Sequence, residues 1–159
     1  MTSTKLSLPA LDPADVKAVE GSGYPDPFKP PVAGRAKRRL GDALGLKRFG
    51  VNVTTIKPGA RSALRHWHTR EDEFIYVLSG ELVLVTDGGE QVLAAGMCAG
   101  FPANKADGHH LINRTGHDAV YLEVGDRDPQ DAVTYPDDDL SALATPQGRR
   151  FTRKDGTAY

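Results

Sequence analysis

Two histidines separated by one residue, His66 and His68, lie beside a stretch whose composition is typical of a β-strand. Because successive side chains of a strand point to opposite faces, both imidazoles are expected on one face, about 7 Å apart along the strand. Neutral imidazoles in this arrangement can bind one divalent cation, and a carboxylate can complete the ligand set. Glu73 follows five residues later and opens an otherwise apolar stretch. The three residues together predict a metal site.

A second pair of histidines, His109 and His110, opens a later strand pattern. His109 shares its strand face with Leu111, which is the arrangement expected of a ligand beside a core residue. By the same alternation His110 points outward or into the preceding loop, and it is the alternative fourth ligand. The competing interpretation is that these histidines are ordinary core or surface residues and that the acidic run 71–73 is solvated.

The elements that position these side chains are short runs of β-branched and aromatic residues, each followed by a turn signal. The runs cover residues 51–56, 74–78, 82–86, 91–93, 98–101, 109–112 and 119–124. Many short strands with evenly spaced turns and no helical period predict an all-β sandwich or barrel. The run 74–78 is apolar on both faces, so its outer face needs a second sheet, a terminal arm or another subunit as cover. From this we predict a homodimer.

The two ends of the chain differ in composition from this central part. Residues 1–34 contain six prolines and are predicted to form an extended arm, with one short helix within 12–20 that Asp12 caps. Residues 35–126 are assigned to the barrel. Residues 127–159 are polar with three prolines and are predicted to form a tail that wraps the barrel.

Composition limits the partners and the compartment. The 159 residues suffice for one domain, and 20 basic residues nearly balance 21 acidic ones, so neither nucleic acid nor an anionic membrane is expected as a partner. The single cysteine cannot form an internal disulfide, and residues 1–10 lack the apolar core of a signal peptide. No apolar run approaches the roughly 20 residues that span a bilayer. We therefore expect a cytoplasmic protein.

The stretch from Gly59 to Gly80 resembles the first signature of the cupin superfamily, in which a glycine precedes a His-x-His pair, a glutamate and a second glycine. Four residues separate His68 from Glu73 and six separate Glu73 from Gly80, as in that signature. Six residues rather than five separate Gly59 from His66.

The second cupin signature is matched more loosely. Gly96 and Pro102 have its spacing, and so do His109 and Asn113. Asn104 replaces a glycine of the signature, and the path from there to His109 is two residues longer. The resemblance covers residues 50–125 and implies a double-stranded β-helix (cupin or jelly-roll) barrel. It also selects His109 over His110 as the fourth ligand, beside His66, His68 and Glu73, to one divalent ion: zinc, nickel, iron or manganese.

Three imidazoles and one carboxylate leave open positions on a divalent ion, which can polarise a carbonyl, stabilise an enediolate or bind oxygen. The resemblance implies an isomerase, epimerase, lyase or dioxygenase that acts on a small polar, carbohydrate-derived molecule. A non-catalytic module that binds or senses a small ligand is the alternative. The predicted substrate contacts are Arg65, Tyr121 and Glu123. Arg65 lies beside the histidine pair, and the alternation of side chains along a strand places Tyr121 and Glu123 on the inner face of the barrel. Solvated surface positions are the simpler interpretation of Arg65 and Glu123.

Overall fold

The computed structural model describes residues 6–159, and nearly all of its regular structure is β-strand. Thirteen strands are described: β1 (Val19–Glu20), β2 (Arg35–Arg39), β3 (Phe49–Ile56), β4 (Trp67–His68), β5 (Glu73–Ser79), β6 (Glu81–Thr86), β7 (Gly89–Ala94), β8 (Cys98–Phe101), β9 (His110–Ile112), β10 (Ala119–Asp126), β11 (Ala132–Tyr135), β12 (Leu140–Thr145) and β13 (Gly148–Thr152). The predicted all-β fold is confirmed. The seven predicted strands correspond to β3, β5 to β9 and β10, with ends shifted by no more than two residues.

Helical structure in the described residues is limited to α1 (Leu40–Ala43) and two 3-10 turns, Pro13–Asp15 and Pro30–Val32. The helix predicted within 12–20 is therefore only one turn long. Its predicted cap is present, because the Asp12 side chain accepts a hydrogen bond from the Ala14 amide at 2.8 Å. None of the helices in residues 6–159 has the length and apolar character needed to cross a membrane.

The strands form three antiparallel sheets. The six-stranded sheet has the order β1-β2-β3-β10-β5-β8, the four-stranded sheet β13-β12-β11-β4, and the three-stranded sheet β7-β6-β9. Strand β10 lies between β3 and β5, although both of these precede it by many residues. In that register Glu123 lies opposite Asn52 on one side and Ile75 on the other. Such non-sequential pairing is what brings side chains from distant segments onto one face.

Two apolar clusters form the core. The larger one packs between the six-stranded and three-stranded sheets and includes Ile75, Val77 and Leu82. The second joins the two ends of the chain, because Tyr24 and other residues of the N-terminal segment pack against the four-stranded sheet. The Tyr24 and Tyr135 rings lie edge to face with centroids 5.8 Å apart, a geometry that adds to the stabilisation from buried area.

Residues 127–159 contain three strands rather than only an irregular tail. Val133 and Tyr135 of β11 and Leu140 and Ala142 of β12 are buried at alternate positions, which is the pattern of a sheet with one covered face. Strand β11 also pairs with β4, so this segment completes the sheet that carries His68. The division of the chain at residues 34 and 126 stays a prediction.

Strand β5 is covered on one face only. Ile75 and Val77 are buried, whereas Phe74, Tyr76 and Leu78 on the opposite face are 40%, 39% and 47% exposed. The expected cover for this outer face is therefore not supplied within residues 6–159. The homodimer stays a prediction, and this face is the surface that it would use.

Candidate metal centre

Three imidazoles converge on one carboxylate oxygen, Oε2 of Glu73. The Nε2 atoms of His66, His68 and His109 lie 3.6, 3.5 and 2.9 Å from it. Ligand atoms of His66, His68 and Glu73 all lie within 4.8 Å of one another. Nitrogen and oxygen donors that face one point in this way fit a divalent transition metal.

Backbone pairing holds the four side chains in place. His66 and His109 exchange two backbone hydrogen bonds, of 3.2 and 2.9 Å, which align their side chains. His68 lies in β4, paired to β11. Glu73 opens β5 opposite Gly125 of β10. A Cβ on Gly125 would lie 3.5 Å from Cγ of Glu73, so the glycine leaves the space beside the carboxylate open.

The loop that leads to His109, the fourth predicted ligand, contains a residue in the left-handed conformation. Asn104 stands where the cupin signature has a glycine and has a φ of 58°. Asparagine is one of the few residues that adopt this left-handed conformation readily. The Asn104 amide also donates a hydrogen bond of 2.8 Å to the carbonyl of His68, which ties the loop to the histidine pair.

Hydrogen bonds on the far side of two rings fix their tautomers. Nδ1 of His66 donates to the Leu64 carbonyl at 2.8 Å, and Nδ1 of His68 donates to Oδ2 of Asp131 at 2.6 Å. Because a carbonyl or carboxylate oxygen can only accept, the proton of each ring must sit on Nδ1. The Nε2 lone pairs then face Glu73, which is the form that a metal ligand needs.

His109 is held by stacking instead. Phe101 lies parallel to its ring with centroids 3.5 Å apart. Its Nδ1 is buried and has no hydrogen-bond partner among the described residues. Burial lowers the pKa of His109 and outweighs the hydrogen bond to Glu73, so this ring is neutral at neutral pH.

The charges of the cluster suit cation binding. Burial alone would raise the pKa of Glu73, but the hydrogen bond from His109 and the neighbouring imidazoles of His66 and His68 hold it well below its usual value. Burial likewise lowers the pKa of His68, and the bond to Asp131 together with the Glu73 charge raises it above the ordinary value. An ionised glutamate at the centre of three imidazoles is a site that a cation can occupy by displacing protons.

His110 lies apart from this cluster. It is buried, contrary to the outward or loop-facing position predicted for it, and both ring nitrogens lack a partner among residues 6–159. Alternation along β9 puts its side chain on the face opposite that of His109, and this face is covered too. Burial, followed by the charge of Arg61, lowers the pKa of His110 to about 4, so the ring is neutral at neutral pH.

The cavity beside the cluster has a volume of about 500 Å³, and its lining includes His66, His68, His109 and Glu73. Four basic side chains share this lining: Arg35, Lys37, Arg39 and Arg149. The first three occupy alternate positions of β2 and so lie on one face. This basic face was not predicted from the sequence. In the sequence, basic residues occupy the alternate positions 35, 37 and 39, as expected for one face of a strand. Because position 38 is also basic, the segment resembles an ordinary charged run and the alternation is hard to recognise.

Tyr121 and Glu123 line the same cavity, as their parity predicts. The Tyr121 hydroxyl donates to Oε2 of Glu123 at 3.0 Å, the Asn52 amide donates to Oε1 at 2.9 Å, and Lys37 forms an ion pair with Oε1. Burial would raise the pKa of Glu123, but Lys37 lowers it below the usual value, so the group is a carboxylate. Burial raises the pKa of Tyr121 well above the usual value, which keeps its phenol a donor.

Arg65 is not part of the cavity lining. Its guanidinium donates two hydrogen bonds of 2.7 Å to the Asp137 carboxylate and also pairs with Asp87. These contacts join three segments that are far apart in the sequence. The structure therefore gives Arg65 ion-pair partners outside the cavity lining, and its predicted contact with substrate gains no support.

Comparison with known proteins agrees with the fold and the motif. The family model described as "Cupin domain" matches residues 52–125. The crystal structure of a sugar phosphate isomerase from a cupin superfamily, from Silicibacter pomeroyi DSS-3, is 44% identical, with a TM-score of 0.91 over 95% of this chain and 96% of that chain. The resemblance stated from the sequence is thereby confirmed.

Two other solved structures are more distant. A protein from Acidithiobacillus ferrooxidans, provisionally named a sugar phosphate isomerase, is 29% identical, with a TM-score of 0.75 over 89% of each chain. A polyketide cyclase from Streptomyces resistomycificus is 23% identical, with a TM-score of 0.62 over 75% of this chain and 79% of that chain, and shares the fold alone. No curated protein matches this sequence.

Proposed function

The chain belongs to the cupin superfamily, and we propose that it is a metal-dependent isomerase of a small phosphorylated sugar. In this proposal His66, His68, Glu73 and His109 hold one divalent ion, with zinc, nickel, iron and manganese as the candidates. When bound, such an ion polarises a substrate carbonyl and makes the neighbouring C–H bond more acidic. Support for the reaction class comes from the 44% identical structure, which is described as a sugar phosphate isomerase.

The observation that carries the substrate class is the charge of the cavity. Four basic side chains line it against two carboxylates, Glu73 and Glu123, so the lining has a net charge of about 4 − 2 = +2 with neutral histidines. A divalent ion would add two further positive charges. A dianionic phosphate ester is complementary to such a cavity, and an uncharged sugar is not.

Three of the four cations already have partners within the protein. Arg35 donates to the carbonyls of Gly21 and Ser62, which ties the N-terminal segment to the barrel. Lys37 pairs with Glu123. Arg149 donates to Glu71 at 3.1 Å but keeps 37% of its side chain exposed, and Arg39 is exposed at the cavity. Arg39 and Arg149 are therefore the side chains that we assign to the phosphate group.

The test is an isomerisation assay on tag-free protein loaded in turn with each of the four metals. Nuclear magnetic resonance of aldose phosphates and ketose phosphates would follow interconversion, and the matching unphosphorylated sugars serve as controls. We expect turnover of a phosphorylated sugar that the His66→Ala/His68→Ala variant lacks. Saturable binding of sugar phosphates without turnover under any metal would instead support the alternative, a non-catalytic binding or sensing module.

A further inference from the structure

Glu123 is the second carboxylate of the cavity, and its surroundings differ from those of Glu73. We infer that Glu123 is the general base that moves a proton between neighbouring carbons of the substrate, and that Lys37, Asn52 and Tyr121 orient it. This inference rests on the proposed isomerase function and extends it to the residue that performs the proton transfer.

The first argument is position. Glu123 lies opposite Ile75, and Glu73 lies opposite Gly125, so the two carboxylates are diagonal neighbours on one face of the six-stranded sheet. Diagonal neighbours across an antiparallel pair have Cα atoms about 7–8 Å apart. Because Gly125 has no side chain, nothing on β10 stands between the two carboxylates at that position. Both side chains line the same cavity, so a substrate bound beside the Glu73 cluster would lie next to Glu123.

The second argument is elimination within the cavity. Of the described residues that line it, the acids are Glu73 and Glu123. Glu73 is surrounded by three imidazole Nε2 atoms, so its oxygen is committed to the metal centre. The three cavity histidines are committed with it. Tyr121 is a buried phenol whose proton is donated to Glu123. Glu123 is the remaining group that is ionised, reachable and able to accept a proton.

The third argument is the hydrogen bonding of its two oxygens. A carboxylate has about four acceptor positions. Asn52 and Lys37 both bind Oε1, whereas Oε2 accepts hydrogen bonds from Tyr121 at 3.0 Å and from the Thr54 hydroxyl at 3.4 Å. The Thr54 bond is the longest of these contacts, so its position on Oε2 is the one that a substrate proton can take. The Glu123 side chain is 21% exposed, so this position is accessible from the cavity.

The step is a proton transfer that leaves the composition of the substrate unchanged. Oε2 of Glu123 takes the proton from the hydroxyl-bearing carbon next to the carbonyl, the C–H electron pair becomes a C=C bond, and the carbonyl π pair moves onto its oxygen. That oxygen takes the proton of the neighbouring hydroxyl, which becomes the new carbonyl. The C=C pair then takes the proton back from Glu123 at the adjacent carbon. No oxidant, reductant or second substrate is consumed.

The decisive variant is Glu123→Gln, which keeps the size of the side chain and removes the base. In deuterium oxide, with metal-loaded protein and short ketose phosphates from dihydroxyacetone phosphate upward, wild type should incorporate solvent deuterium at the carbon next to the carbonyl. We expect Glu123→Gln to lower this exchange and the isomerisation kcat by about 10²–10⁴-fold. Metal content and KM should stay close to those of wild type, which a merely structural role would not predict.

Two further variants keep the test conclusive. Glu123→Asp, which retains the charge but withdraws the carboxylate by one methylene, should lose about tenfold or more in exchange even if the glutamine variant folds poorly. Glu90→Gln, on the exposed pair with Arg114, is the matched control and should match wild type. Glu123→Gln protein that exchanges deuterium within threefold of wild type would overturn the inference.

The assay separates this inference from the proposed function. Exchange by wild type without any isomer formed, lost in Glu123→Gln, would refute the isomerase and retain the base. Isomerisation by wild type and Glu123→Gln alike would retain the isomerase and refute the base. If wild type shows neither exchange nor isomerisation with any metal or ketose phosphate, both the role of Glu123 as a base and the isomerase function are refuted.

Discussion

Asp131 accepts a hydrogen bond of 2.6 Å from Nδ1 of His68, and this contact joins the C-terminal sheet to the candidate metal centre. The Asp131 carboxylate is almost fully buried and also accepts from the Arg70 amide at 3.0 Å. A carboxylate behind a ligand histidine fixes the ring orientation and raises the basicity of the nitrogen that faces the metal. Residues 127–159 therefore contribute to the site and not only to the surface of the barrel.

This contact gives the first prediction. Asp131→Asn should weaken metal affinity by about 10–100-fold, because the neutral amide no longer favours the Nδ1-protonated ring. Affinity would be measured by competition with a chromophoric chelator, and thermal unfolding would verify that the variant is folded. Asp118→Asn, at an exposed position, is the matched control. Equal affinities for wild type and Asp131→Asn would show that the contact is only structural.

The second prediction concerns anion recognition. Arg39→Gln and Arg149→Gln should each weaken binding of a sugar phosphate by about tenfold, the loss expected for one charge-assisted contact of about 1.5 kcal/mol. Binding would be measured by calorimetry on metal-loaded protein. Arg65→Gln is the informative comparison, because its guanidinium pairs with Asp137 and Asp87 outside the cavity. If only the Arg65 variant bound the sugar phosphate more weakly, Arg65 would be the substrate contact, as the sequence predicted. The assignment of the phosphate group to Arg39 and Arg149 would then be refuted.

The third prediction is a pH dependence of stability caused by His110. Its pKa is about 4 in the folded chain against an ordinary value of 6.5. The unfolded chain therefore binds more protons in this range, and stability is lost as the pH falls from 6.5 towards 4. Linkage gives a loss of about 2 kcal/mol between pH 7.5 and 5.

The measurement is urea unfolding of metal-free protein at both pH values, for wild type and His110→Phe. The phenylalanine fills the same space without a titrating group, so the drop in unfolding free energy on acidification should be smaller by about 2 kcal/mol. Other groups titrate equally in both proteins and cancel in this difference. An identical pH dependence of the two proteins would contradict the burial of an uncharged imidazole at this position.

The fourth prediction is the homodimer. Phe74, Tyr76 and Leu78 form an exposed row on β5, and Leu122 and Val124 of β10 lie opposite Tyr76 and Phe74 in the register. A continuous apolar face of this kind marks an interaction surface. Sedimentation equilibrium at micromolar concentration should give the mass of a dimer for wild type and of a monomer for Leu78→Lys.

Val92→Lys is the control for this surface, because Val92 is 57% exposed on β7 of a different sheet. It should sediment as wild type does. A monomeric wild type would refute the dimer, and dissociation by both substitutions alike would indicate another interface.

Much of the central barrel could be predicted from the sequence because its strands are short runs of β-branched and aromatic residues that end in turn signals. Position 123 was identified as inward-facing by parity alone, and the structure brings it to the cavity. Strands β11 to β13 were missed because the segment is polar, contains prolines and has the acidic run 137–139. The pairing of β11 with the two-residue strand β4 depends on contacts more than 60 residues apart in the chain.

The partners of charged residues were also hard to predict, because they come from distant parts of the chain. Arg65 stands beside the histidine motif, so its charge suggested a role in binding, but its partners Asp87 and Asp137 lie 22 and 72 residues further along the chain. Nothing local indicates such partners. The basic face of β2 was present in the sequence as an alternation, but only the strand pairing shows that this face opens on the cavity.

The most direct test of the metal centre is elemental analysis of tag-free protein and of the His66→Ala/His68→Ala variant, each before and after reloading with zinc, nickel, iron or manganese. We expect about one metal ion per wild-type chain and a near-complete loss in the variant, with both proteins folded by circular dichroism. Negligible metal in both proteins after reloading, or equal metal in both, would show that these histidines and Glu73 do not form a metal site.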